Sequence, residues 1–306
     1  CCSSAASDVY KRQRLVSVLI LNKPKGLTSF QAVLQVKKLL NLKKAGHSGT
    51  LDPLATGLLP IFFDESTSFI KFLSNENKEY IASFVFDISS NTEDITGSIQ
   101  YHNNSKEIDK NTFVKTLELF KGKSTQTPPK FSAKKVNGVP MYKLARAGKE
   151  FEVKPQNIEI FNLELIDYNY PKFTFKTLVS KGTYIRTLGV DIAKKLGKFC
   201  CLTDLQRTRI GSIKLKESID INTLKSLDNV SKMKYVKRIE EILRKFPKVS
   251  LSSSEVKKFQ NGSFVRVEDQ KMHNECFVFF KDELMGYGLI DENKNLHPKR
   301  VINRRN

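Results

Sequence analysis

No stretch of this chain approaches the ~20 consecutive apolar residues that a bilayer-spanning helix needs. The densest apolar run, Leu58 to Phe63, is short and contains Pro60. The opening segment, Cys1 to Arg14, is Ser/Ala-rich, has no starting methionine and lacks the apolar core of a signal peptide. It is read as a non-native or disordered extension. Cysteine is scarce: Cys1, Cys2, Cys200, Cys201 and Cys276 show no C-x-x-C spacing, so neither a zinc ribbon nor a redox pair is indicated, and a reduced cytoplasm fits best. His47, His102, His273 and His297 are scattered, with no H-E-x-x-H, and a catalytic metal lacks a ligand set. The P-loop pattern G-x-x-x-x-G-K-[ST] and the G-x-S-x-G elbow are missing too, which leaves nucleotide hydrolysis and serine-triad chemistry unsupported.

Positive charge, by contrast, is abundant. Lysine and arginine outnumber aspartate and glutamate by 52 to 32, a formal charge of +20, and the isoelectric point is about 9.6. The excess favours a polyanionic partner, nucleic acid first, though a membrane surface attracts such charge as well. With 306 residues, 40% of them hydrophobic, the chain suits one large domain plus a small one.

Val16 to Asn22 has the length of a strand, and Pro24, Gly26 and Thr28 mark the turn after it. Ser29 is the expected cap of a helix with Val33, Val36, Leu39 and Leu40 at helical spacing, and Lys37, Lys38, Lys43 and Lys44 lie at or past its end. Periodicity then vanishes from Ala45 to Gly57, where glycines, Pro53, His47 and Asp52 crowd together in what reads as a structured loop. Further on, the pattern predicts a short helix at 66–73 and a strand at 80–86. A helix capped by Asp109 should bury Phe113, Val114, Leu117 and Phe120. A loop at 124–135, a helix at 142–147, strands at 158–166 and 173–180, a helix at 188–196, a strand from Cys200 and a lysine-rich helix at 234–245 follow. After Pro247 short strand-like runs predominate. The expected class is α+β, mainly antiparallel, with a small β-rich domain appended.

Asp52 stands in GTLDPLATG, where Pro53 fixes the backbone and the glycines admit close approach. A loop aspartate ordinarily caps a turn; a positioned nucleophile is the other reading. Arg186, in KGTYIRT, is able to hold an ionised Asp52 by a bidentate bond, or else to contact phosphate. Tyr80 and Tyr184 offer rings for base stacking, or belong to the core. His47, flanked by Gly46 and Gly49, suits insertion into nucleic acid or a turn.

Six segments, LNKPKGLTS, AGHSGTLDPLATGLLP, KEY, FSAKKVNGVPMYKLARAG, SKGTYIRTLGVDIAKKLG and LQRTRIG, occur in an order that resembles the bacterial tRNA pseudouridine-55 synthases of the TruB family. GTLDPLATG is the most specific of the matching strings. The resemblance implies a catalytic domain at 15–246 built on a long, mixed, mainly antiparallel sheet with flanking helices, and a PUA-like RNA-binding module at 247–306. It implies Asp52 as nucleophile, Tyr80 packed on the target base, and Tyr184 and Arg186 as their partners. It also implies Leu205 in the pocket, His47 beside the displaced base, and Lys23 with Pro24 supporting the loop. One departure is that many relatives have two arginines where this chain has Gln206 and Arg207, with Arg209 a nearby charge, which bears on local RNA contacts and not on the chemistry. The substrate implied is the T arm of tRNA, with no cofactor, no metal and no obligatory protein partner, for a cytoplasmic monomer. A non-catalytic tRNA-binding or RNA-folding protein is the alternative. A guide-RNA-dependent subunit is disfavoured by the bacterial-style insert at about 88–135.

Overall fold

A computed structural model of the chain describes residues 16–103, 106–267 and 275–302. The extension expected at 1–14 lies outside these residues. The first apolar run forms the strand Ser17–Lys23, buried along almost its whole length. It leads through a turn into the helix Ser29–Leu39, which buries Ala32, Val33 and Val36 and carries Lys37 and Lys38 in its last turn. Thr28, not Ser29, caps this helix, with Gln31 completing a capping box. The Ser29 hydroxyl is engaged elsewhere: it accepts from the Leu51 N–H at 2.8 Å and donates to the Leu51 carbonyl at 3.0 Å. The helix start is thereby tied to the irregular loop.

Among the described residues eleven strands make the main sheet. Its principal order is Ile219–Asp220, Ser17–Lys23, Thr56–Phe63, Cys200–Ile210, Lys78–Phe86, Lys172–Val179, Gln156–Asn169, Gly122–Gln126. Two pairings are parallel, that of Ser17–Lys23 with Ile219–Asp220 and that of Thr56–Phe63 with Cys200–Ile210. The others are antiparallel, so the expected mixed, mainly antiparallel sheet is what the chain adopts. Pro60 sits inside a buried strand without breaking it. In a strand the N–H and C=O of one residue point to the same side, and the Pro60 carbonyl accepts from Ser48, just where the short neighbouring strand Ala45–His47 has ended.

Along Lys78–Phe86 burial alternates, and Tyr80, Ala82, Phe84 and Phe86 share the inward face. Phe84 stacks on Phe173 at 5.2 Å and on Phe175 at 5.3 Å between ring centres. The helices Lys110–Glu118 and Ile185–Lys195 cover that face. Phe113 and Leu117 of the first are buried, but Val114 is 38% exposed, so the apolar stripe is narrower than its sequence suggests.

Several boundaries differ from expectation, and for the strands the reason is that a neighbouring backbone captures the segment. In 45–57, Ala45–His47 pairs with Ile61–Phe63 and a strand begins at Thr56, leaving only 48–55 irregular. The stretch expected as a loop from Ser124 begins as the end of a strand, Gly122–Gln126, paired to Gln156–Ile160. The helix after KGTY starts at Ile185, which puts Arg186 in its first turn. The lysine-rich segment is not one helix: Val236–Arg238 adds to the Ser17–Leu19 edge, and the helix that follows covers only Ile239–Ile242.

The last five strands, from Lys248 to Val301, form a second sheet. A helix, Ser253–Gln260, is inserted in it and opens on a Ser252–Glu255 capping box, an S-x-x-E signal that strand rhythm alone conceals. Phe277, Leu284 and Ile302 of this module share a core with Val18 and Phe62 of the main sheet and with Phe69 and Phe72 of the helical segment that follows the strand Thr56–Phe63.

The parallel pairing of Gly57 with Arg207 is unusually close. Gly57 has φ +102°, and a Cβ there would meet the Arg207 carbonyl oxygen at 2.4 Å and its nitrogen at 2.9 Å. Gly57→Ala is therefore expected to cost more than ~3 kcal/mol, since positive-φ strain and backbone overlap act together. Urea unfolding would read this directly, and a loss below ~1 kcal/mol would mean the strand pair relaxes freely.

Candidate active site

The irregular loop 48–55 is held at several points. Gly26 N–H donates to the Pro53 carbonyl at 2.8 Å, Ala55 N–H closes a turn onto the Asp52 carbonyl at 3.0 Å, and Ser29 grips Leu51. Lys23, fully buried, does not face solvent. Its Nζ donates to the carbonyls of Pro24 and Leu27 at 2.9 and 2.7 Å, stiffening the turn that braces the loop. Burial lowers its pKa to about 8, against the pull of Asp52 upward and with a further push downward from Arg207.

Asp52 and Arg186, far apart in sequence, meet here. Arg186 Nε lies 3.0 Å from Asp52 Oδ2, with the arginine side chain 5% exposed and that of the aspartate 37%. The contact is single rather than the bidentate one expected, because the other guanidinium nitrogens are committed elsewhere. Nη1 donates to the Thr92 carbonyl at 2.6 Å and Nη2 to the Phe131 carbonyl at 2.9 Å. Asp94 stands 3.8 Å from Nη1, its own carboxylate satisfied by Thr92 and by the Thr96 backbone at 2.9 Å. Arg186 is thus fixed by both ends of the guanidinium and offers one edge to Asp52. The Asp52 carboxyl is pushed above its ordinary 3.8 mainly by burial. Arg186 opposes that rise, Asp94 adds to it and Lys23 opposes it.

Tyr80 and Leu205 belong to one buried cluster with Leu51, Leu54 and Ala55, which flank Asp52, and with Ile185, which flanks Arg186. Tyr184 precedes the helix. Its N–H donates to Gln126 Oε1 at 2.8 Å and its carbonyl accepts from Gln126 Nε2 at 3.1 Å, a two-point hold by a buried glutamine. His47 lies on the short strand Ala45–His47 rather than in a free loop. Burial, and secondarily Arg207, lowers its pKa. Its Nδ1 is buried with no hydrogen-bond partner among the described residues.

Both glycines are closely approached by the protein itself. A Cβ on Gly46 would meet Ile70 at 2.9 Å, and one on Gly49, at φ +74°, would meet Arg207 Nη1 at 3.1 Å and Lys78 at 3.6 Å. Asp94 and Gln126 were not singled out from sequence, and Arg207 was named only beside Gln206, without a role in the site. Asp94 and Gln126 carry no motif, whereas Arg207 had a signal: it shares the inward parity of Leu205 on its strand, with Gln206 between them facing the other way. Among the described residues no three His, Cys, Asp or Glu side chains gather as a metal site requires, and no helix is long and apolar enough to cross a membrane.

Comparison with known proteins bears on this geometry. Residues 37–185 match the model of the TruB family pseudouridylate synthase (N terminal domain). The chain is 37% identical over 292 residues to the tRNA pseudouridine synthase B of Francisella philomiragia subsp. philomiragia, covering 92% of this chain and 97% of the relative. It is 41% identical over 245 residues to the tRNA pseudouridine synthase B of Francisella tularensis subsp. tularensis, covering 80% and 81%. In fold it is similar to a chain in the crystal structure of a Cbf5-Nop10-Gar1 complex, with a TM-score of 0.74 at 22% identity over 96% of this chain and 87% of that one. A chain of the archaeal box H/ACA sRNP Nop10-Cbf5 complex gives 0.73 at 20% identity, over 97% and 89%.

Proposed function

The chain belongs to the TruB family of pseudouridylate synthases, and from this premise we propose that it isomerises uridine-55 in the T arm of tRNA to pseudouridine, with Asp52 as nucleophile. The observation that carries the reading is the Asp52 carboxylate, partly exposed and 3.0 Å from a buried arginine that it does not have to share with solvent. The reaction breaks the bond from N1 to the ribose, turns the base, and joins C5 to the same sugar carbon. A proton leaves C5 and one arrives at N1, so electrons balance without an oxidant. A carboxylate suits the task because it can form a covalent bond and later depart.

The target base has to leave its stack to reach this carboxylate, and unpaired loop bases pay least for doing so. Tyr80 is the platform for the flipped base and Leu205 its apolar neighbour; base stacking of this kind contributes ~1–3 kcal/mol. Tyr184, two residues before Arg186 and held through its backbone by Gln126, is the further active-site partner. His47, whose pKa is lowered by burial and secondarily by Arg207, meets the displaced base on this reading. Lys38, in the last turn of the helix Ser29–Leu39, and Lys43 and Lys44 beyond it are exposed and supply phosphate contacts. The catalytic domain covers 15–246 and the module at 247–306 adds RNA contacts. The protein acts as a monomer, in the cytoplasm, without a protein partner.

The test is a full-length unmodified tRNA transcript, with no cofactor added, mapped for pseudouridine beside a transcript bearing cytidine at the target. Modification confined to the T-arm uridine, and lost with cytidine, is the expected result. Binding without modification would point instead to an RNA-folding protein.

A further inference from the structure

Arg207 heads the largest fully buried side chains of the protein at 1% exposure, yet among the described residues no carboxylate pairs with it. A buried guanidinium without a counter-charge is costly unless strong acceptors meet it. The acceptors here are two main-chain carbonyls on either side of Asp52. Nε donates to Leu58 at 2.9 Å, in the strand after the loop, and Nη2 donates to Gly49 at 2.8 Å, in the loop's first turn before Asp52. The Arg207 backbone meanwhile lies flat against Gly57, and its Nη1 approaches the α-carbon side of Gly49.

We propose that Arg207 is a positioning residue that sets the placement of Asp52 by bridging the chain on both sides of it with one rigid, planar fork. Only a guanidinium carries several donors fixed in one plane; an ammonium presents a single point. The chain between the two carbonyls is largely irregular, so its register against Arg186 depends on where these two points are pinned. The same cation is felt at Lys23, His47 and Lys78, each of which has its pKa lowered in part by Arg207. This inference rests on Asp52 being the nucleophile, and it assigns Arg207 no contact with RNA.

Arg207→Gln, Arg207→Lys and Gly49→Ala, each in the full chain, would be assayed on the tRNA transcript with kcat and KM measured separately. Arg207→Gln is expected to lower kcat about 100-fold, the scale of a ~1 Å misplacement of a reacting group, with KM changed less than about 3-fold. Arg207→Lys should fail to restore kcat, since it keeps the charge and loses the fork. His47, followed by the NMR titration of its ring protons, should titrate higher in Arg207→Gln than in wild type and stay low in Arg207→Lys. Gly49→Ala perturbs the same bridge from the loop side with the charge intact, and it decides the matter if Arg207→Gln does not fold. It should lower kcat at unchanged KM. Wild-type kcat in Gly49→Ala, or full rescue by lysine, would overturn the proposal. An active Asp52→Asn would instead remove the nucleophile assignment beneath it, whereas an inert Asp52→Asn beside fully active Arg207 and Gly49 variants would sink the positioning role alone.

Discussion

Asp52→Asn is expected to abolish pseudouridine formation, by at least ~10⁴-fold in kcat, as removal of a nucleophile generally does, while the variant stays folded and binds tRNA within a few-fold of wild type. The amide has the shape of the carboxylate but neither its charge nor its ability to form and release an ester. The fold has little reason to change. The loop is held through its main chain by Gly26, Ser29 and the Asp52–Ala55 turn, none of which uses the Asp52 side chain. Burial disfavours the charged form of this carboxyl, so neutralising it removes one cost, and Arg186 keeps its bonds to Thr92 and Phe131. Because the reaction expels the proton at C5, tritium placed there would be released by wild type and retained by the variant. Turnover by Asp52→Asn within 10-fold of wild type would show that the carboxylate is not the attacking group.

How legible this site was depends on the residue. Asp52 and Arg186 stood out because each lies in a long, specific string, and the structure puts them in contact. What the strings could not convey was how the arginine is used: a bidentate pair is the natural guess for an isolated guanidinium and carboxylate, and only the carbonyls of Thr92 and Phe131 reveal why one edge remains. Arg207 shows a different limit. Arginine in a basic chain reads as an RNA contact, and its burial follows from strand parity, which two register shifts along Cys200–Ile210 obscure. The large elements were readable from apolar spacing. The errors fell on segments such as 234–245, where lysine spacing mimics a helix and the edge of the Ser17–Lys23 strand claims the backbone instead.

Arg186→Met should be the most damaging change after loss of Asp52 itself. It removes the cation between Asp52 and Asp94 and leaves the Thr92 and Phe131 carbonyls without their donor. Breaking a buried pair from one side costs about 3–5 kcal/mol, and the low end applies because Asp52 is partly open to water. Activity should fall by ~10³-fold or more, since charge stabilisation and orientation are lost at once. The pH profile separates these effects. Arg186 lowers the Asp52 pKa, so its removal lets that pKa rise further, and the acid limb of any residual kcat/KM should move to higher pH. Arg186→Lys keeps a positive charge near Asp52 but cannot reach both carbonyls and the carboxylate together. Its limb should stay near that of wild type while kcat still falls at least ~10-fold, because orientation is lost although the charge is kept. A lysine variant with wild-type kcat would mean that charge alone suffices. A methionine variant whose acid limb does not move would mean that Asp52 is not the group titrating there.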